Sequence, residues 1–143
     1  MSCEMKDIVT MFNDELQTFI IQLMHIAEQI NMTKKEMSTI LSSKRDLETG
    51  MKINQKLCID LYAKFLFEDG HETFVENVKC RNYDYFYELV KKETIDDEFK
   101  ELLQIVVTVS YNLDDDLKND IFGYLENITD LAITYAAKLV ENK

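Results

Sequence analysis

Few residues in this 143-residue chain have the types and spacing that chemistry requires, and the first such group is a histidine–glutamate pair. His25 and Glu28 are three positions apart and would share one face of a helix. Helical bundles build metal centres from such pairs together with several further inward carboxylates. The only other histidine, His71, falls in a predicted turn. We therefore expect a structural role for His25 and no metal site.

An acidic run near the last third of the chain is the second group. Asp114, Asp115 and Asp116 are followed by Asn119 and Asp120, which superficially resembles a calcium-binding loop. That loop requires a glycine at its sixth position, and counting from Asp114 this position is Asn119. Carboxylates are favoured at helix N-termini, so we expect the run to cap the helix that follows.

The three cysteines, Cys3, Cys58 and Cys80, show neither a metal-binding spacing nor the pattern of a disulfide framework. Cys58 lies beside an apolar stripe, where a thiol behaves as a small hydrophobic group. The chain has three glycines and contains no nucleophile-elbow, P-loop or dinucleotide-binding motif. We expect reduced cysteines, no catalytic residue, no cofactor and no enzymatic activity.

Four aromatic residues within five positions form the most distinctive local feature. They cannot all face one core from a helix, so at least one should be exposed. Tyrosine and phenylalanine give large contact areas at low entropic cost, which favours a protein interface. Packing into the core and stacking of nucleic-acid bases are the alternatives, and the nearby carboxylates weaken the second. The segment comprises Tyr83, Tyr85, Phe86 and Tyr87.

The elements that would position these residues are helices, because apolar residues recur at steps of three and four almost from end to end. No proline interrupts them. A long first helix is predicted from Ile8 to Ile30 and a long last helix from Leu117 to Leu139. Thr33 and Glu36 have the spacing of a capping box, which predicts the start of the second helix.

The middle of the chain has shorter predicted elements. We expect the second helix to end at Gly50 and a third to begin at Met51. Two short helical pieces should follow, separated by a turn over residues 81–84. The apolar stripe of the predicted third helix comprises Met51, Ile53, Leu57, Leu61, Phe65 and Leu66.

The β-branched run over residues 105–109 raises a strand as an alternative, because such residues lose rotamer freedom in helices. An isolated strand of this length has no evident pairing partner in the chain, so a helix is favoured. The sequence thus predicts an all-α fold. We expect a single domain over residues 1–143, a bundle of five to seven amphipathic helices with long first and last helices.

Composition restricts the function. The residues are 46% hydrophobic and 30% charged, and the net charge is −11. Such an acidic chain is poorly suited to bind phosphate backbones, so no direct nucleic-acid contact is expected and a basic protein partner is more natural. The first residues lack the pattern of a signal peptide, and no apolar stretch is long enough to span a bilayer. We expect an intracellular protein without membrane contact.

Residues 7–20, 52–57 and 121–128 together resemble a family of small helical proteins of nucleocytoplasmic large DNA viruses. The family has an opening helix with the pattern hydrophobic-Phe-Asn-x-x-Leu-x-x-Phe, matched here by Met11 to Phe19. An asparagine-containing central helix and an aromatic-rich closing helix follow. The resemblance implies a protein of the virion or of the cytoplasmic viral factory, without known catalytic residues. A looser likeness, resting on size, charge and helix number, is to the Bcl-2-like proteins of poxviruses.

These observations predict a non-enzymatic helical protein that acts in protein–protein interaction or assembly. It would present a helical face, with the aromatic residues 83–87, to a viral or host protein or to a second copy of itself. The alternative is a Bcl-2-like modulator of host cell-death or signalling proteins, which would hold a partner's amphipathic helix in a groove.

Overall fold

A computed structural model describes residues 3–30, 32–67, 72–91 and 113–141, together with 103, 104, 106, 107, 109 and 110. None of these residues belongs to a strand, and the predicted all-α fold with long first and last helices is confirmed. The helices described are α1 (Cys3–Gln29), α2 (Lys34–Ile53), α3 (Leu57–Phe67), α4 (Glu72–Lys79), α5 (Tyr83–Leu89) and α6 (Asp115–Glu141).

The segment that raised the strand alternative is helical wherever it is described. Leu103, Gln104, Val106, Val107, Val109 and Ser110 all have helical backbone. Val106 and Val109, three positions apart, are both buried in the core. Burial of this face outweighs the modest cost of β-branched residues in a helix.

The long helices α1 and α6 run antiparallel and form the centre of the bundle. Lys138 near the end of α6 lies 3.3 Å from Glu4 near the start of α1. Further along, Asn127 donates to Glu15 over 3.4 Å, and the rings of Phe19 and Tyr124 are 5.8 Å apart. Each helix therefore buries one full-length apolar stripe against the other, as the periodicity predicts.

The start of α2 is the predicted capping box. The Thr33 hydroxyl accepts from the Glu36 amide over 3.1 Å, and the Glu36 carboxylate accepts from the Thr33 amide over 3.1 Å. The predicted end at Gly50 is wrong, because the helix continues to Ile53. Asn54 has an extended backbone (φ −149°) and terminates the helix while its amide still donates to the Gly50 carbonyl.

The predicted start of the third helix at Met51 is also wrong, since α3 begins at Leu57. The side-chain oxygen of Asn54 accepts from the Lys56 amide over 3.1 Å and so initiates the turn into α3. Of the predicted stripe, Met51, Phe65 and Leu66 are buried as expected, whereas Ile53 is exposed. Leu57 and Leu61 face outward, while the buried side chains are Cys58, Ile59, Tyr62, Phe65 and Leu66.

The two short helices α4 and α5 follow the predicted pattern of a helix, a turn and a helix. Phe74 and Val78 of α4 and Phe86 and Leu89 of α5 are buried. Arg81 in the turn has a positive φ of 58°, which reverses the chain between the two helices. These two helices cover the aromatic part of the core.

Candidate functional site

The histidine–glutamate pair lies on the outside of the bundle. His25 and Glu28 of α1 are both exposed. Within the part of the chain that the structure describes, no group of three or more His, Cys, Asp or Glu side chains is placed to hold a metal ion. His71 lies outside the described residues. The pair thus has no further ligand beside it among those residues.

The acidic run caps α6, as expected from its sequence. The Asp114 carboxylate accepts from the Leu117 amide over 2.9 Å, and the Asp114 carbonyl accepts from the Lys118 amide over 3.0 Å. Asp115 and Asp116 occupy the first turn, where negative charge interacts favourably with the helix dipole.

Of the cysteine side chains that the structure describes, one is buried and one is exposed. Cys58 is buried within α3 and belongs to the core, in agreement with the expectation that it acts as a small hydrophobic group. Cys80 is exposed at the end of α4.

The aromatic segment from Tyr83 to Tyr87 is more deeply packed than its sequence suggests. Phe86 is fully buried, and Tyr83, Tyr85 and Tyr87 are each half-buried. At least one of the four rings was expected to be exposed, and Tyr83, Tyr85 and Tyr87 each keep part of their surface exposed. Phe86 is covered because it lies between Phe74 of α4 and Phe122 of α6.

Tyr83 packs against α6 with its ring edge toward Phe122, at a centroid distance of 4.9 Å. The ammonium group of Lys118 lies 5.3 Å from the centre of the Tyr83 ring, within range of a cation–π interaction. Burial, and to a smaller extent the charge of Asp115, raise the pKa of the Tyr83 hydroxyl, while Arg81 and Lys118 oppose that shift.

Tyr85 connects α5 to α4. Its hydroxyl lies 3.3 Å from the Thr73 hydroxyl, and its ring meets Phe86 edge-on at 5.2 Å. Phe86 in turn contacts Phe74 at 5.3 Å and Phe122 at 4.9 Å. The segment is thus part of one aromatic cluster that joins α4, α5 and α6.

Arg81 fixes the turn that precedes this segment. Its guanidinium donates to the Val78 carbonyl over 2.8 Å, to the Asn119 side-chain oxygen over 3.0 Å and to the Glu126 carboxylate over 2.7 Å. The pair with Glu126 is also a partly buried ion pair. Arg81 therefore ties the α4–α5 turn to two positions of α6 that are about two helical turns apart.

Two tyrosine hydroxyls hold α3 against α6. Thr129 donates its hydroxyl proton to the Leu125 carbonyl over 2.7 Å, so the buried Tyr62 must be the donor in the 2.6 Å contact between its own hydroxyl and Thr129. Tyr135 donates to the Asp60 carboxylate over 2.5 Å. Burial raises the pKa of both tyrosines, and the Asp60 carboxylate raises that of Tyr135 further. These bonds fix which side of α3 faces the core.

The side of α3 that faces away from the core carries large apolar side chains, and two of them, Leu57 and Leu61, belong to the predicted apolar stripe. Leu57 is 38% exposed, Leu61 37% and Phe67 56%. Ile53, at the end of α2, is 80% exposed. We call Ile53, Leu57, Leu61 and Phe67 the outer α3 face.

Two residues of the outer α3 face, Leu57 and Leu61, are neighbours on one helix. Leu57 and Leu61 are four positions apart on one helix, which places their side chains side by side. Phe67 is six positions beyond Leu61, which places it about 120° around the helix axis from that leucine. Leu57 also lies against the last turns of α2, because a methyl group added to Gly50 would come within 3.0 Å of its Cδ2 atom. Ile53 is three positions beyond Gly50, at the end of α2.

A small crevice between α1 and α2 has a volume of about 10 Å³. It is covered on its α2 side by the ion pair of Lys44 and Glu48, whose charged atoms are 2.6 Å apart. A space of this size holds about one water molecule and is far too small for an organic ligand or a helix. Its lining residues are Leu16, Gln17, Ile20, Lys44, Leu47, Glu48 and Met51.

Comparisons with protein-family models, with curated proteins and with solved structures returned no match for this chain. None of the helices in its described ranges combines the length and apolar character needed to cross a membrane.

Proposed function

We propose that this chain is a non-enzymatic helical protein-interaction module and that the outer α3 face is its contact surface. A single observation supports the proposal: Leu57 and Leu61 lie side by side on the outside of α3, whose other side is buried, and the exposed Ile53 and Phe67 lie at the ends of α2 and α3. Single exposed apolar residues are common on protein surfaces, whereas contiguous groups of them are typical of interfaces.

The energetics of such a contact are adequate for a specific interface. Burying a leucine, isoleucine or phenylalanine side chain contributes up to about 1.5–3 kcal/mol, and less where the residue is already partly covered. Leu57 and Leu61 are fixed by the helix backbone, so a partner would restrict little additional motion of the chain. A few side chains of this size carry most of the binding energy in known interfaces.

The aromatic segment 83–87 stays a prediction as a second contact region. Its three tyrosines are half-buried, and Tyr83 lies beside Lys118 and Asp115, which suits the polar rim of an interface more than its centre. The Bcl-2-like groove likewise stays a prediction, and the 10 Å³ crevice between α1 and α2 gives it no support.

The test compares two surface variants during recovery of partners. The double variant Leu57→Ser/Leu61→Ser removes the centre of the outer α3 face, and Leu41→Ser removes an equally exposed leucine (37%) from α2. Tagged wild-type protein and both variants are purified from the native cellular context and analysed by mass spectrometry, with solution masses measured at several concentrations. The resemblance to large DNA virus proteins makes viral-factory and virion components the first partners to look for.

We expect wild type and Leu41→Ser to recover the same partner, or to self-associate equally, and the double variant to lose that behaviour while keeping its helical circular dichroism. Retention of the partner by the double variant would show that the outer α3 face is not the contact surface. A wild-type protein that stays monomeric and recovers no partner would contradict the interaction function itself.

A further inference from the structure

We draw no further inference here: the strongest candidate, the outer α3 face of Ile53, Leu57, Leu61 and Phe67 on the surface formed by the end of α2 and by α3, carries none beyond the proposed function because nothing in the structure shows what covers it.

Discussion

Replacing Arg81 by alanine and by glycine separates the two roles of this residue, which are its side-chain bonds to α6 and its left-handed backbone. The alanine variant loses the ion pair with Glu126 and the hydrogen bonds to Asn119 and Val78. The ion pair is partly solvent-exposed, so we assign it about 1 kcal/mol after screening. The two remaining hydrogen bonds add about 0.5 kcal/mol each, giving an expected loss of roughly 2 kcal/mol.

The glycine variant loses the same bonds but relieves the backbone. A non-glycine residue at a φ of 58° is disfavoured by about 1–2 kcal/mol. Glycine adds roughly 0.5–1 kcal/mol of unfolded-state entropy, which offsets part of that relief. Arg81→Gly should therefore be more stable than Arg81→Ala by about 0.5–1 kcal/mol, even though glycine provides no additional contact.

The assay is urea unfolding followed by circular dichroism, with thermal unfolding as a second measurement. For a chain of this size, 1 kcal/mol corresponds to roughly 3 °C in Tm. Glu126→Gln, which keeps a hydrogen-bond acceptor but removes the charge, should cost about half as much as Arg81→Ala. If Arg81→Gly proved no more stable than Arg81→Ala, the argument from backbone strain would be refuted. A loss below about 0.5 kcal/mol in Arg81→Ala would refute the role of its bonds.

Three further substitutions test the burial of Tyr62 and the space around Gly123 and Gly50. Because burial raises the pKa of Tyr62 above its ordinary value of 10.0, the folded chain keeps this proton at a pH where the unfolded chain loses it. The free energy of unfolding should therefore fall as pH rises above 10. It should fall less steeply in Tyr62→Phe. An equal pH dependence of the unfolding free energy in wild type and variant, measured by urea titration, would contradict this. Gly123→Ala should stabilise α6 by up to about 1 kcal/mol, since a methyl group there meets nothing within 4 Å. Gly50→Ala should gain less because its methyl group would press on Leu57, and an equal gain in Tm would show that Leu57 moves aside freely.

Much of the fold could be predicted because it depends on local periodicity and capping. The stripes of α1 and α6, the capping box of Thr33 and Glu36 and the acidic cap at Asp114 all depend on residues within a few positions of one another. The predicted boundary between α2 and α3 was wrong by several residues. Gly50 is tolerated inside a helix there, and the break occurs at Asn54 instead.

The candidate site could be predicted only in part, and the reason lies in α3. This helix has apolar residues on nearly every side, so its periodicity does not identify the buried stripe. The aromatic segment over residues 83–87 was recognised as unusual from its sequence. The burial of its rings could not be predicted, because it depends on contacts with α4 and α6.

The sequence by itself determined that the chain is helical, where its long helices run and that its overall charge is acidic, because these follow from residue types and their spacing. Only the tertiary structure decided which side of each short helix is covered. The hydrogen bonds of Tyr62 to Thr129 and of Tyr135 to Asp60 hold one side of α3 against α6, and Leu57 and Leu61 lie outward. Burial is a property of the neighbours that a helix meets, and those neighbours are far apart in the chain.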